Sequence, residues 1–172
     1  ALVVADDATS TWNATTVASA LAGLVGKVEG ANIVLTGDSS IDESAKMVST
    51  LIAGFLGWPC FQEVVAVEAA GNGWTLTQSA AGGTRTITVD GPVVAAVATD
   101  AAAVKVPGMK DILAAGKKPL DEVAVAEVSP VEVSLEVTGR AKPIAKARRN
   151  ETFTGDDAAA QLVAALRNAG AL

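Results

Sequence analysis

The residues best suited to chemistry lie in one polar segment, 36–49, which follows a short aliphatic run. The segment opens with Gly37-Asp38-Ser39-Ser40, and Asp42 is predicted to begin a helix. In open α/β sheets, a helix amino terminus at the carboxyl end of a strand offers backbone N–H groups to an anion such as phosphate. Serine and aspartate at a helix start are more common as caps of the helix itself, and the residues alone favour capping over ligand binding.

The absence of certain residue types excludes several classes of catalyst. The sequence has no histidine and no tyrosine, and Cys60 is its one cysteine. Ser-His-Asp and Cys-His catalysis, an internal disulfide and zinc binding by cysteine or histidine are therefore excluded, and no metal site is predicted. Cys60 follows Trp58-Pro59 without an adjoining basic residue, so it is predicted to be a buried, unreactive thiol. A non-enzymatic role is favoured.

Composition indicates a small protein with one core. The chain has 172 residues, of which 50% are hydrophobic and 3% aromatic, and a net charge of -6. Small aliphatic side chains favour helices packed closely on a sheet, and no apolar run reaches the roughly 20 residues that span a bilayer. The acidic balance argues against nucleic acid. The basic stretch 142–149 is interpreted as a solvated linker rather than an anion or partner site, and a reducing, cytoplasmic location is expected.

Hydrophobic periodicity predicts the elements that would position the polar segment. Helices are predicted over Asn13–Val25, with Asn13 among the candidate caps, and over Asp42–Gly57. Strands are predicted over Ala1–Ala5 and over Asn32–Leu35, the latter as a central parallel strand. The strand over Asn32–Leu35, the polar turn after it and the helix over Asp42–Gly57 are predicted to form one βα unit.

The second half of the chain alternates between extended and helical patterns. Alternation and glycine turns between Phe61 and Val89 predict an antiparallel meander, followed by a buried strand over Pro92–Thr99. Other predicted elements are a helix over Met109–Ala115, extended segments over Val123–Val128 and Val131–Val137, an arm over Arg140–Thr154 and a helix over Asp156–Ala169. The predicted fold is α/β, a mostly parallel, doubly wound, Rossmann-like sheet of the adenine-nucleotide-binding type with a meander. We expect a domain over 1–139 and a C-terminal arm plus helix over 140–172 for partner contact.

Four motifs in order resemble the electron-transfer flavoprotein beta-subunit family. The first runs from Val34-Leu35-Thr36-Gly37 through Ile41-Asp42 to Ala53-Gly54-Phe55-Leu56-Gly57-Trp58-Pro59. The others are Gly91-Pro92-Val93-Val94, Lys117-Lys118-Pro119-Leu120, and Phe153-Thr154-Gly155-Asp156 with Leu162, Val163 and Leu166. The resemblance covers nearly the whole chain, except that family members begin further upstream, so the N-terminal part of the domain is expected to be missing here.

The resemblance implies an electron carrier rather than an enzyme. It implies a heterodimer with an alpha subunit that holds FAD, electrons arriving from a flavin dehydrogenase, and a beta subunit that binds AMP or a second FAD. Family members hold the AMP phosphate with the turn-helix segment, which implies a cofactor site here at Gly37, Ser39, Ser40, Asp42, Glu43, Lys46, Met47, Val48 and Ser49. Met47 and Ser49 replace the family's glutamine and glycine, and Lys46 is a candidate compensating charge.

The family's partner-recognition loop is shortened in this chain. The resemblance places the docking residues for a partner dehydrogenase at Val104, Lys105 and Val106. Two alternatives stay open: a nucleotide-binding domain of the same fold, of the stress-protein or ATP-pyrophosphatase type, and a degenerate structural module without cofactor, motivated by Met47, Val48 and Ser49. The oligomeric state is left open.

Overall fold

The computed structural model describes residues 1–4, 6–42, 44–133, 138–145, 147 and 150–172. The chain divides into two compact units, residues 1–135 and 136–172. Among the described residues, the first unit contains the sheets and most of the helices, and the second contains one helix. The domain boundary predicted after residue 139 stays a prediction.

The first unit is built around a five-stranded sheet. Its strands are β2 (Ile33–Gly37), β3 (Cys60–Ala70), β4 (Gly73–Ala80), β5 (Gly83–Val89) and β6 (Val93–Val97), in the order β2-β6-β3-β4-β5. β6 lies parallel to both β2 and β3, whereas β3, β4 and β5 are successively antiparallel. Together with the helices, this sheet confirms the predicted Rossmann-like α/β class and the meander.

The strand predicted to be central lies at an edge of this sheet. β2 pairs with β6 within the described residues, and Leu35 on β2 is 58% exposed. β6 takes the central place because Val93, Val94 and the two alanines that follow are fully buried, which suits a strand covered on both faces. The predicted N-terminal strand is confirmed only as β1 (Leu2–Val3), which pairs with β7 (Asp121–Glu122) in a separate two-stranded sheet.

The core has a layer on each face of β6, because neighbouring residues of a strand point to opposite faces. Val94 packs in one cluster with Ala18, Ile52 and Ala53 from helices α1 (Ala14–Gly26) and α2 (Val48–Leu56). Val93 belongs to a second cluster with Val64, Leu76 and Ala95. Burying one such aliphatic side chain contributes about 1.5–3 kcal/mol, so these two layers hold the strands that carry the site.

Local signals in the sequence specify α1. The Asn13 side-chain oxygen accepts hydrogen bonds from the backbone N–H groups of Thr15 and Thr16, both at 3.0 Å. These bonds satisfy two of the N–H groups that a helix start leaves without partners. The predicted Asn13 cap is confirmed, and the helix ends one residue later than predicted, at Gly26.

Several predicted boundaries need correction further along the chain. The helix α3 (Met109–Ala115) is confirmed, but Val125–Val128, predicted to be extended, forms the short helix α4. The Ala124 N–H donates to Glu127 Oε1 at 3.3 Å at the start of α4, a local bond that favours the helical turn. Residues 131–133 are not in a strand, and 134–137 lie outside the described residues.

The C-terminal helix is present but shorter than predicted. α5 spans Ala158–Asn168 instead of beginning at Asp156, and Asp157 accepts from the Gln161 side chain at 2.7 Å instead of capping the backbone. The described part of the predicted arm, 140–154, has no regular secondary structure, and Lys146, Arg148 and Arg149 of its basic stretch lie outside the described residues.

Candidate functional site

A cavity of about 310 Å³ lies where β2 ends and α2 begins. This position is the carboxyl end of a parallel strand, where open α/β sheets bind ligands. The cavity is lined by Ala14, Gly37, Asp38, Ser39, Ser40, Ala45, Lys46, Met47, Val48 and Ser49. The polar segment identified from the sequence therefore lines this cavity, together with Ala14 at the start of α1.

The turn before α2 is not helical, so the prediction that Asp42 begins this helix is wrong. Ser44 donates its N–H to the Ser40 carbonyl at 3.0 Å, which closes a single turn. Ser44 and Lys46 then adopt left-handed conformations, each with φ of 50°, and a right-handed helix cannot continue through them. α2 begins at Val48.

The amino end of α2 lacks a side-chain cap. Met47 occupies the N-cap position and makes no side-chain hydrogen bond there. The capping role favoured for the serines and aspartates is therefore not observed. Since the first N–H groups of a helix have no partners within it, those at the start of α2 are available to an acceptor in the cavity.

Ser49, in the first turn of α2, adds a second donor. The residue is part of the cavity wall and is 2% exposed, and its buried Oγ forms no hydrogen bond with any described residue. Leaving a buried hydroxyl unsatisfied costs about 1–3 kcal/mol. A ligand oxygen that reaches this hydroxyl would remove that cost, and together with the N–H groups it would suit the first turn of α2 to a group rich in acceptors, such as a phosphate.

Lys46 is held by two carboxylates beside the cavity. Its Nζ lies 2.8 Å from Asp38 Oδ2 and 2.9 Å from Glu63 Oε1. The hydrogen bond from Lys46 holds the pKa of the Asp38 carboxyl below its ordinary value, and the bonds to Asp38 and Glu63 raise the pKa of Lys46. Lys46 was a candidate compensating charge for a phosphate, but its charge is already engaged by these partners.

Two residues of β3 that sequence reasoning missed hold this turn. Glu63 donates its backbone N–H to Asp38 Oδ1 at 3.2 Å. Gln62 donates from Nε2 to the Lys46 carbonyl at 2.8 Å and to Thr50 Oγ1 at 3.0 Å. No sequence signal identifies these contacts, because they join segments more than ten residues apart through an irregular part of β3.

Most of the predicted cofactor residues meet at this cavity. Its lining includes the predicted residues Gly37, Ser39, Ser40, Lys46, Met47, Val48 and Ser49. Asp42 is exposed and outside the lining, and Glu43 lies outside the described residues. Their part in cofactor binding stays a prediction.

The predicted docking residues lie on an exposed apolar segment. Val104 and Val106 are 91% and 82% exposed, and Lys105 between them is also exposed. The segment leads into α3, of which no residue is buried and on which Met109, Ile112 and Leu113 are exposed. The docking role of Val104, Lys105 and Val106 stays a prediction.

Cys60 lies at the start of β3 and is half-buried. Burial raises the pKa of its thiol, and the hydroxyls of Thr50 and Ser49 offset this only in part. The Ser49 hydroxyl influences the thiol, but no hydrogen bond of acceptable geometry joins them. A raised pKa reduces the thiolate fraction near neutral pH, which fits the predicted unreactive thiol.

Two negative findings hold for the described part of the chain. No group of three or more acidic or cysteine side chains there could hold a metal ion. None of the helices described is both long enough and apolar enough to cross a membrane.

The fold and the cavity define a Rossmann-like α/β protein with a helix amino end directed at a cleft. The sequence profile of the electron transfer flavoprotein domain matches residues 1–128. The chain is 36% identical, over 121 residues, to the electron transfer flavoprotein subunit beta of Syntrophomonas wolfei. It therefore belongs to the electron transfer flavoprotein family, on the beta-subunit side. The match covers 70% of this chain and 47% of that relative, so the chain spans about half of the relative's length.

Proposed function

We propose that this chain serves as a beta-type subunit that pairs with an FAD-bearing alpha subunit to carry electrons from dehydrogenases to an acceptor. In this role the chain is an electron-carrier subunit and not an enzyme. Family membership supports the role. The observation that carries the proposal is the amino end of α2, which lacks a side-chain cap and lies at the cavity wall, where Ser49 has a buried hydroxyl without a hydrogen-bond partner among the described residues.

The cavity is proposed to hold the phosphate of AMP or of a second FAD. The N–H groups of the first turn of α2 and the hydroxyls of Ser39 and Ser49 supply donors for phosphate oxygens. FAD, where bound, supplies the electron-accepting and electron-donating chemistry. This chain's own contribution is to bind, orient and neutralise: Lys46 offsets part of the negative charge of Asp38 and Glu63 beside the ligand.

A partner flavin dehydrogenase is proposed to dock on the exposed segment that begins at Val104. Val104 and Val106 offer apolar contact, and Lys105 between them offers a positive charge. The C-terminal region, 140–172, is proposed to contact the alpha subunit. In support, Leu162 and Val163 of α5 are 47% and 39% exposed, which leaves apolar surface for a partner.

One observation favours a second candidate, a structural module without cofactor. Lys46, the one cation lining the cavity among the described residues, is already paired with two carboxylates, and Met47 and Val48 add apolar side chains to the wall. Binding a multiply charged phosphate there would have to overcome the surplus negative charge.

Two experiments test the proposal, one on formation of the heterodimer and one on ligand binding. Co-expression of the chain with an electron transfer flavoprotein alpha subunit is expected to yield a yellow heterodimer that keeps FAD through purification. Calorimetry of the chain with AMP, ATP and FAD is expected to show AMP or FAD binding. Absence of both the yellow heterodimer and nucleotide binding would support the structural module, whereas tight ATP binding with hydrolysis would support the ATP-pyrophosphatase type.

Ser49→Ala tests whether the cavity is the binding site. Loss of one hydrogen bond to the ligand is expected to weaken AMP binding about fivefold. The matched control is Thr36→Val, because Thr36 Oγ1 is also buried without a partner among the described residues but does not line this cavity. Equal AMP affinity in Ser49→Ala and the unchanged chain would place the ligand elsewhere.

A further inference from the structure

The irregular part of β3 lies directly behind the turn that precedes α2. The pairing register of β3 shifts between Phe61 and Val64 against β6, and again between Val64 and Ala66 against β4. Glu63, within the first shift, has a φ of 54°, a left-handed conformation that residues with side chains rarely adopt. Bulges of this kind redirect side chains and occur beside functional sites.

Gln62 uses this geometry to hold both sides of the start of α2. Its Nε2 donates to the carbonyl of Lys46, before the helix, and to the hydroxyl of Thr50, in the first turn. α2 has no side-chain cap of its own, so a side chain from a neighbouring strand fixes the position of its first turn. The placement of the first-turn N–H groups and of Ser49 at the cavity wall depends on that position.

The same network continues away from the cavity. The Gln62 carbonyl accepts from Gln78 Nε2 at 2.6 Å, and Gln78 Oε1 accepts from Arg85 Nε at 2.7 Å. Gln62 and Gln78 therefore each make two side-chain hydrogen bonds, but only those of Gln62 reach the turn and helix that form the cavity.

We propose that Gln62 is a positioning residue for ligand binding, which holds the uncapped amino end of α2 in the orientation that receives a phosphate. This inference rests on the proposed function of the cavity as a nucleotide site. The role is indirect, because Gln62 and Glu63 of β3 both lie outside the cavity wall. Gln62 acts through the helix and not on the ligand.

The experiment compares Gln62→Leu with Gln78→Leu in the full 172-residue chain, a matched pair that removes two side-chain hydrogen bonds in each case. AMP affinity is measured by calorimetry, and amide hydrogen exchange is measured over residues 51–54, which begin with the Leu51 N–H that donates to the Met47 carbonyl. Gln62→Leu is expected to weaken AMP binding about fivefold and to speed exchange about tenfold at the start of α2. Gln78→Leu is expected to leave both within about twofold, because its bonds do not reach that helix.

Gln62→Glu provides a second variant of nearly unchanged size. An ionised carboxylate has no N–H to donate to the Lys46 carbonyl, so this variant is expected to behave like Gln62→Leu. Unchanged exchange at residues 51–54 in Gln62→Glu would show that the side chain acts by packing and would overturn the inference. The same conclusion follows if Gln78→Leu alters exchange and affinity as much as Gln62→Leu.

The two readouts separate this inference from the proposed function. If the unchanged chain binds no AMP while Gln62→Leu speeds exchange at the start of α2, the AMP site fails and the positioning role of Gln62 stands. If the unchanged chain binds AMP and Gln62→Leu alters neither affinity nor exchange, the AMP site stands and the positioning role fails.

Discussion

At the scale of single residues, two hydroxyl oxygens are buried without a hydrogen-bond partner among the described residues: Thr36 Oγ1 and Ser49 Oγ. Ser49 belongs to the cavity wall at the amino end of α2, so a ligand bound there would lie near its hydroxyl. Thr36 lies on β2 among aliphatic neighbours that include Val34, Leu35 and Ile52. Each buried hydroxyl lowers the stability of the folded chain, but only Ser49 belongs to the wall of the proposed ligand cavity.

Thr36→Val is expected to stabilise the chain by about 1 kcal/mol, since it removes an unsatisfied hydroxyl and keeps a β-branched shape in a strand. The free energy of unfolding in guanidinium chloride measures the change. A Thr36→Val chain less stable than the unchanged one would mean that the hydroxyl has a partner in solution.

Asp38 makes the stability of the turn depend on pH. Its folded-state pKa is below the ordinary 3.8, chiefly because of the hydrogen bond from Lys46. A lowered carboxyl pKa contributes stability that is present above the ordinary value and lost as pH falls through the folded-state value. Asp38→Asn is therefore expected to cost about 0.5–1 kcal/mol at neutral pH, and the difference should shrink once the pH falls below 3.8.

Unfolding of both chains in guanidinium chloride between neutral and acid pH checks this expectation. Asp42→Asn is the control, because Asp42 is exposed and forms no ion pair with any described residue. A gap between Asp38→Asn and the unchanged chain that stays constant down to pH values well below 3.8 would contradict the role of the Lys46 bond.

At the scale of secondary-structure elements, α1 packs closely against α4 at Gly23. A Cβ on Gly23 would lie 2.8 Å from the Val128 carbonyl oxygen and 3.1 Å from the Val128 Cα. Both are backbone atoms, so α4 would have to move. The contact also brings Nζ of Lys27, the residue directly after α1, to 2.9 Å from Oε2 of Glu127 on α4.

Gly23→Ala is expected to destabilise the chain by about 1–3 kcal/mol, despite the better helix propensity of alanine, because the added methyl meets backbone. Gly54→Ala, in the interior of α2 with no heavy atom near the added Cβ, is the control and is expected to stabilise by about 0.5–1 kcal/mol. Denaturant unfolding distinguishes them. Equal free energies of unfolding for the two variants would show that α4 can move away from the added methyl group without loss of stability.

The comparison of α1 with α2 shows how far the sequence predicts this fold. α1 was predicted nearly to the residue because its cap, Asn13, lies within three residues of the N–H groups that it satisfies. The start of α2 was missed because Lys46 is fixed by Glu63 and Gln62, which lie 17 and 16 residues away. The lining of the cavity was predictable from a polar segment after a strand, but the contacts that hold its turn were not.

At the scale of the whole molecule, the net charge of -6 would repel a partner with an acidic docking surface. The segment 104–120 departs from this balance. It carries one acidic residue, Asp111, against the basic residues Lys105, Lys110, Lys117 and Lys118. Local positive charge beside exposed valines would attract a partner with an acidic rim, and such attraction weakens as salt screens it.

The double change Val104→Ser with Val106→Ser tests docking in the heterodimer. Loss of two exposed apolar contacts is expected to slow electron transfer from a partner dehydrogenase about tenfold. Flavin content should be unchanged, and the free energy of unfolding should change by less than about 0.5 kcal/mol, because both side chains are exposed. Val28→Ser, at a half-exposed valine after α1, is the control and should leave the rate unchanged. Equal rates in the double variant and the unchanged protein would mean that the dehydrogenase docks on another surface.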